Sequence, residues 1–235
     1  LFERDWTGRV LDKVNPEAAW VLAGEGSATR QRDGTACLLY RGIIARRYDM
    51  KPGRTALFET EVNSQWIAAQ DPQFLCNACR WSGDVPVGQA QDFGSPTWND
   101  IPCPGCGKAT RFNHWPGWLP CDPSRAEDRW HYAAALPKED GTYELCGPKI
   151  NGNPERLERH EYFRHGAEVL ANVPWHYGGV RDYLAATLIE GIVWHHPDGR
   201  MAKIKARDFG IRWPRHAFTA TNTYRRTGSG RAYRE

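Results

Sequence analysis

Two cysteine pairs of identical spacing constrain the fold of this 235-residue chain more than any other feature of it. Cys76 and Cys79 form one CxxC pair, and Cys103 and Cys106 form the other. A CxxC turn directs two thiolates at one point, so two such turns supply the four sulfur ligands of a tetrahedral Zn2+ site. Disulfides or a redox dithiol are the alternatives, but a bridge over two residues is strained and a redox motif needs no second copy. The pairs therefore predict one structural zinc ion.

The segment between the pairs is rich in Gly, Pro, Asp and Ser, which is typical of loops and short hairpins. A bound metal can order a segment that is too small to have a core of its own. We therefore expect a zinc ribbon over residues 72–115, inserted into a main domain made of residues 1–71 and 116–220. Residues 221–235 should form a flexible basic tail that contacts nucleic acid. The side chains that either stack on nucleic acid or pack inside the ribbon are Trp81, Trp98 and Arg111.

Arginine dominates the basic residues of the chain, because 24 of the 31 are Arg. Arg binds phosphate through paired hydrogen bonds, so this bias suits a phosphate-rich partner, and a GC-rich genome would produce it equally well. No apolar run is long enough to cross a membrane, and no signal peptide is recognisable. We expect an intracellular, cytoplasmic protein, and the sequence gives no indication of its oligomeric state.

Hydrophobic alternation and turn residues predict an α+β fold of twisted antiparallel sheets. Residues 27–34 have the character of a polar loop that enters a strand. A PDG turn joins "EGIVWHH" to "RMAKIKARD", which predicts a hairpin. The other predicted strands cover residues 18–25, 34–42, 43–50, 141–147 and 165–170, and the predicted helices cover residues 154–163 and 178–188.

The second strand of this hairpin carries Lys203 and Lys205, which share one face because they are two residues apart. Two ammonium groups on one face repel each other unless an anion lies between them. Glu190 precedes the partner strand and can contribute a carboxylate beside them. The three residues suit a phosphate with a divalent cation, or else a solvated strand surface with a cross-strand ion pair.

Five short motifs follow one another in a fixed order: "QRDG" at 31–34, "ARRYD" at 45–49, "YELCG" at 143–147, "EGIVW" at 190–194 and "KIK" at 203–205. This order resembles the covalent nucleotidyltransferase superfamily of ATP-dependent ligases and capping enzymes. Within it, the chain is most similar to the compact 5′-to-3′ RNA ligases of phages and vertebrates. The resemblance covers most of residues 18–215 apart from the ribbon, and it rests on the ordered set because no single motif is decisive.

The resemblance implies a nucleotidyltransferase (ligase adenylation) domain that uses ATP and Mg2+, or Mn2+, to join 5′-phosphate and 3′-OH RNA ends. In that family a lysine attacks the α-phosphate of ATP, AMP moves to the RNA 5′ end, and the 3′-OH then displaces AMP. The implied catalytic positions are Gln31, Lys203, Lys205 and Glu190. The implied nucleotide-binding residues are Asp33, Gly34, Arg46, Arg47 and Glu144, with Tyr162, Phe163 and His165 as candidates for stacking on adenine. Strand alternation lets only one of the two arginines face the site.

Gln31 occupies the position at which this family has its lysine nucleophile. An amide nitrogen does not attack phosphorus, so the chain as written should not form an enzyme–AMP bond there. Three interpretations remain: a ligase whose lysine was replaced, a natural protein that still binds nucleotide, or a misplaced motif. The "KEDG" sequence that begins at Lys138 is the rival location, although it leaves no room for an arginine strand before Glu144.

RNA end joining is the leading functional hypothesis. DNA ligation or guanylyl transfer in capping would use the same motifs, and the expectation of no further domain weighs against both. A zinc-dependent nucleic-acid or nucleotide binding protein without catalysis is the alternative from a different class, and Gln31 favours it.

Overall fold

The computed structural model describes residues 1–52, 67–69, 71–84 and 99–214. Trp98 and the tail at 221–235 lie outside them. The described residues form an α+β fold that is dominated by antiparallel strands. The strands are β1 (Phe2–Arg4), β2 (Val10–Val14), β3 (Ser27–Gln31), β4 (Thr35–Tyr40), β5 (Ile43–Met50), β6 (Ile67–Ala68), β7 (Gln73–Leu75), β8 (Ser82–Asp84), β9 (Asn99–Pro102), β10 (Ala109–Pro120), β11 (Gly141–Cys146), β12 (Glu161–Arg164), β13 (Gly191–His195) and β14 (Met201–Lys205). The helices are α1 (Ala19–Leu22) and α2 (Tyr177–Ala186), with 3-10 turns at Pro16–Ala18, Arg129–His131 and Ala206–Phe209.

The large sheet has the strand order β12-β11-β4-β5-β10-β7-β8, with β6 and β9 also paired to β10. Its longest strand, β10, pairs with β5 through residues 115–120 and with β7 through residues 111–114. A bulge between Phe112 and His114 separates these two halves. The second cysteine pair and the main sheet are therefore joined by one strand, β10, which crosses the predicted boundary at residue 115.

The small sheet has the order β14-β13-β3. Ile192 and Trp194 of β13 and Ile204 of β14 face a hydrophobic core that is closed by Val180 and Leu184 of α2. Because strand side chains alternate, Val193 and Lys203 project from the opposite face, toward the large sheet.

The large sheet buries two apolar clusters on its outer face. One contains Cys37, Leu39, Ile44, Cys121 and Leu145, and Cys146 outside it is also fully buried. The other contains Met50, Phe74, Phe112 and Trp115 beneath β5, β7 and β10. The inner face of the large sheet is thereby left to border a cleft with the small sheet.

Several local predictions agree with the structure. Strands β4, β5 and β11 and helix α2 lie within one or two residues of the predicted ranges, and β13 and β14 form the predicted hairpin. The turn between β4 and β5 uses Arg41 and Gly42, both with positive φ, which suits a tight hairpin connection.

Other local predictions are wrong for identifiable reasons. Residues 18–25 are not a strand, because the Asn15 side chain accepts a hydrogen bond from Glu17 N and starts a helical segment at Pro16. Residues 154–163 are not a helix. The Asn153 side chain bonds the backbone of Leu157, and both Asn153 and Arg156 have positive φ, so turns precede β12.

Two further corrections concern the segments beside β3. Ser27–Gln31 is a strand rather than a loop, because it pairs with β13 along its whole length. Residues 165–170 form turns instead of a strand, and their ladder contact is a single bridge between Thr29 and Val169. In the described part of the chain, no helix is both long and apolar enough to cross a membrane.

Candidate active site

The cleft between the two sheets contains two adjoining cavities of about 850 and 320 Å3. Gln31, Arg32 and Glu144 border both of them. The larger cavity is lined by aromatic and basic side chains, and the smaller one by charged and amide side chains. The predicted residues that line the larger cavity are Arg47, Tyr162, Phe163, His165 and Lys203, and those that line the smaller one are Asp33, Gly34, Glu190 and Lys205.

Gln31 ends β3 directly opposite Gly191, the first residue of β13. A Cβ at Gly191 would lie 2.4 Å from the carbonyl oxygen of Ile204 and 3.0 Å from Oε1 of Gln31, so only glycine lets the Gln31 side chain extend there. Oε1 of Gln31 is buried and has no hydrogen-bond partner among the residues that the structure describes. A buried acceptor without a donor is costly, which indicates a position suited to another group.

The turn that follows Gln31 is held by several side chains. Asn151 Nδ2 and Trp213 Nε1 both donate to the Asp33 carboxylate, at 3.0 and 2.8 Å. Gly34 N donates to Oε1 of Glu144 at 3.2 Å. A Cβ at Gly34 would lie 2.3 Å from the carbonyl oxygen of Leu145, so close strand packing requires glycine at this position.

Glu144 connects the two cavities through a second contact, because its Oε2 lies 2.9 Å from His165 Nε2. Its cross-strand neighbour on β12 is Phe163. The Arg32 guanidinium lies 3.7 Å from the centroid of the Phe163 ring, which is a close cation–π contact. The structure thus places Phe163 in the larger cavity with a stacked group already on it, and it pairs His165 with a carboxylate.

Lys205 and Lys203 share a strand face but border different cavities. Lys205 Nζ lies 2.5 Å from Oε1 of Glu190, and both side chains are largely buried. Burial raises the pKa of the Glu190 carboxyl above its usual value, and the contact with Lys205 acts in the opposite direction. Lys203 is exposed at the edge of the larger cavity. These positions supply one paired and one accessible ammonium group for an anion in the cleft.

The two arginines of β5 point to opposite faces of the sheet. Arg47 lines the larger cavity, next to Trp118. Arg46 lies on the other face, where its Nε is 2.8 Å from Oδ1 of the fully buried Asp128. Strand alternation explains the difference, and only Arg47 is positioned to contact a ligand in the cleft.

The rival "KEDG" sequence lies away from the cleft. Lys138 is exposed in the turn before β11 and lines neither cavity. Asp140 of the same turn accepts a hydrogen bond from Arg41 N at 2.8 Å. This contact holds the turn against the β4–β5 hairpin, so Asp140 has a structural role.

The four cysteines of the CxxC pairs converge at the far end of the large sheet, and their sulfur atoms all lie within 4.8 Å of one another. Sγ of Cys76 is 3.6 Å from Sγ of Cys106, and Sγ of Cys79 is 3.5 Å from Sγ of Cys103. Sulfur ligands at tetrahedral positions about 2.3 Å from zinc are separated by about 3.8 Å. The donor set and its spacing therefore fit a zinc ion.

A second group of potential ligands contains Cys121, Asp128 and His131, all of which are buried. Arg46 already neutralises Asp128, and the backbone N–H of Asp122 donates to the other carboxylate oxygen at 2.9 Å. Burial lowers the pKa of His131 and raises that of the Cys121 thiol to about 12. These contacts suit a buried ion pair that anchors the loop after β10.

Sequence reasoning missed four residues that line the cleft or hold its arginines in place. Glu155 has a 1% exposed side chain that binds Arg30, Arg32 and the backbone N–H of Asp33. The sequence feature that could have indicated Glu155 is its position in a Pro- and Asn-rich segment. The prediction of a helix over residues 154–163 led away from it. Arg32, Asn151 and Trp213 carried no distinctive spacing in the sequence.

Comparison with known proteins agrees with the resemblance that the sequence motifs show. A family model described as RNA ligase 1 matches residues 134–224 of the chain. The chain is similar to RNA ligase 1 of Danio rerio, at 25% identity, with 86% of this chain and 73% of that protein covered. It is also similar to RNA ligase 1 of Rattus norvegicus, at 28% identity with 80% and 68% covered, and of Pongo abelii, at 29% identity with 79% and 68% covered.

These similarities support an RNA ligase family for the chain. The matched range of the family model contains Glu144, Glu190, Lys203 and Lys205. It begins after β3, β5 and the cysteine pairs, so it carries no information on Gln31, Arg47 or zinc.

Proposed function

We propose that this chain is an ATP-dependent RNA ligase scaffold of the nucleotidyltransferase type, with Gln31 at the position of the nucleophile. The single observation that carries the proposal is the convergence of five separated sequence motifs on one cleft. Residues from five strands or their ends border the two cavities: Gln31, Arg47, Glu144, Glu190, Lys203 and Lys205. A zinc-binding protein with no reaction to perform has no need for this arrangement.

In this proposal the larger cavity binds adenosine. Phe163 and His165 lie on one side of it and Val193 on the other, so an adenine ring fits between an aromatic and an aliphatic surface. Glu144 borders both cavities and can accept hydrogen bonds from ribose hydroxyls. Stacking on Phe163 requires the Arg32 guanidinium to move off the ring, toward the nucleotide phosphates.

The hairpin lysines act on phosphate in this proposal. Lys205 and Lys203 stabilise the negative charge that builds up as the phosphate is transferred. Mg2+, or Mn2+, when bound, would neutralise phosphate oxygens, and Glu190 and Glu144 offer the oxygen ligands that such ions prefer. Arg47 is placed to bind the 5′-phosphate of the RNA end or the nucleotide ribose.

In this proposal Gln31 prevents the first step of the reaction and leaves the last step possible. Its amide cannot accept AMP, so step one fails at this residue, whereas sealing of an RNA that already carries AMP requires only its 3′-OH partner and the remaining cleft. The protein is then expected to bind ATP, to leave 5′-phosphate RNA unjoined with ATP, and to seal pre-adenylylated RNA when Mg2+ is present.

The decisive experiment restores the amine. Gln31→Lys should acquire an AMP adduct on residue 31 when it is incubated with ATP and Mg2+, as detected by intact-mass and peptide mass spectrometry. Lys138→Ala in the same background is the matched control, and it should leave the adduct unchanged. An adduct on Lys138 would move the active site to the "KEDG" turn. No ATP binding by either protein would favour the zinc-dependent binding module instead.

A further inference from the structure

Strand β10 runs without interruption from the cysteine cluster to the larger cavity. Cys106 is three residues before β10 begins at Ala109, and Trp118 near its other end lines the cavity. From Arg111 to Trp118 the strand covers seven residues, or about 23 Å at about 3.3 Å per residue. The distance is long enough for several nucleotides of an extended strand.

One face of this strand carries polar and aromatic side chains, exposed at Arg111, partly buried at His114 and buried at Trp118, and the other face packs in an apolar cluster. Phe112 packs against Phe74, and Trp115 belongs to the same apolar cluster on the outer face. The buried Pro116 lies on the inner face of β10. Because of the bulge after Phe112, the other residues that share this face are Arg111, His114 and Trp118, beside Arg47 of β5 and Gln73 of β7. We call these five residues the β10 face.

The side chains of the β10 face suit a nucleic-acid strand. Arg111 is exposed and forms no ion pair with any residue that the structure describes. His114 Nε2 lies 2.8 Å from Oε1 of Gln73, so the ring and the amide lie side by side and partly buried on this face. Asp49 engages Nε of Arg47 at 3.0 Å, so the terminal amino groups of Arg47 remain available for phosphate.

The cysteine cluster fixes the end of this face. Cys103 N donates to Lys108 O at 2.8 Å, and Gly107 N donates to Cys103 O at the same distance, so the turn that holds the thiolates leads directly into β10. Lys108 is exposed in this turn and Arg80 is exposed just after Cys79. Metal binding would therefore hold two further cations beyond Arg111.

We propose that the β10 face and the cysteine cluster form a binding track for the RNA strand whose 5′ end enters the larger cavity. The entry of the RNA 5′ end into the larger cavity rests on the function proposed above. RNA binding by Arg111 and the CxxC turns does not. Phosphates are bound by Arg47, Arg111 and the cations of the CxxC turns, and bases contact His114 and Trp118. In this proposal the zinc ion stabilises the RNA-binding surface and lies away from the reacting groups.

The test compares RNA lengths on the full chain by fluorescence anisotropy, with 5′-phosphate oligonucleotides of two and of ten nucleotides. Arg111→Glu should weaken binding of the longer RNA at least tenfold and lower its salt dependence by about one phosphate contact, with the shorter RNA unaffected. Arg159→Glu is the matched control, because Arg159 is exposed and lines neither cavity. Removal of zinc by a zinc-selective chelator should reproduce the Arg111→Glu loss, and added zinc should restore binding.

Equal losses in Arg111→Glu and Arg159→Glu would overturn the track, as would unchanged binding in Arg111→Glu. Concentration-dependent self-association that Arg111→Glu abolishes would assign the face to a second copy of the chain instead. ATP binding, measured in parallel, should be the same in all these proteins. If ATP binds but RNA binding does not depend on RNA length, only the binding track is contradicted. If ATP does not bind, the proposed ligase function is contradicted as well.

Discussion

Nζ of Lys205 lies 2.5 Å from Oε1 of Glu190, at the border of the smaller cavity. The exposed fractions of the two side chains are 19% and 9%, so this is not the solvated surface pair that the sequence left as an alternative. A buried pair at a cleft is retained against a desolvation cost, which favours a role for both groups there.

We predict that Lys205→Ala weakens sealing of pre-adenylylated RNA by roughly 2–4 kcal/mol of transition-state stabilisation, if its ammonium stabilises the transferred charge. Lys203→Ala should act in the same direction through the larger cavity. Lys13→Ala is the control, because Lys13 forms an exposed ion pair with Glu3 and lines neither cavity. Single-turnover sealing rates measure the effect, and wild-type rates in both hairpin variants would contradict it.

A second prediction concerns the acid side of the stability profile. Burial raises the pKa of Glu190 in the folded state. The contribution of this carboxyl to stability is therefore full below its unfolded pKa, and it is lost as the pH rises through the higher folded pKa. Relative to Glu190→Gln, whose side chain does not titrate, the native protein should lose stability as the pH rises from about 4.3, the ordinary pKa of a glutamate, through the higher pKa of the folded state. Urea unfolding of both proteins across this range measures the difference, and parallel profiles would show that the carboxyl is not shifted.

We predict one zinc ion per chain, held by the four cysteines of the CxxC pairs. Cys103→Ser should release it, and Cys121→Ser should not, because Arg46 already provides the positive charge beside Asp128. Elemental analysis of the purified proteins counts the metal. Limited proteolysis after chelation should cut within residues 72–115 before the main sheet unfolds. Two zinc ions per chain, or a metal-free protein that resists proteolysis equally, would contradict this.

The parts of the site that the sequence predicted are those set by strand periodicity and local order. Local rules that span a few residues predicted three features of the site. These are the shared face of Lys203 and Lys205, their proximity to Glu190 and the convergence of the CxxC pairs. The choice between Arg46 and Arg47 did not, because alternation says that they differ but not which face is buried. It took the position of Asp128, more than eighty residues away, to determine this.

The errors in the fold have a similar cause. Residues 154–163 have helix-forming composition, yet Glu155 is required by Asp33, Arg30 and Arg32, which lie over 120 residues earlier. Tertiary contacts of this kind override local propensity. Arg32 was likewise absent from the predicted site, since its contact with Phe163 depends on how the two sheets meet.

The last prediction uses the adjacent arginines of β5 as each other's control. Arg46→Ala should destabilise the protein by about 3–5 kcal/mol, because it leaves the buried Asp128 carboxylate without its cation. Arg47→Ala should change stability by less than about 1 kcal/mol, since its partner Asp49 is exposed enough to be solvated. Binding of ATP or 5′-phosphate RNA should show the reverse order, with the larger loss in Arg47→Ala. Urea unfolding and ligand titration of both variants under conditions where each is folded provide the two measurements. If Arg46→Ala lost binding while keeping its stability, the assignment of the two faces would be wrong, and the arginine of this strand that serves the cleft would have to be reassigned.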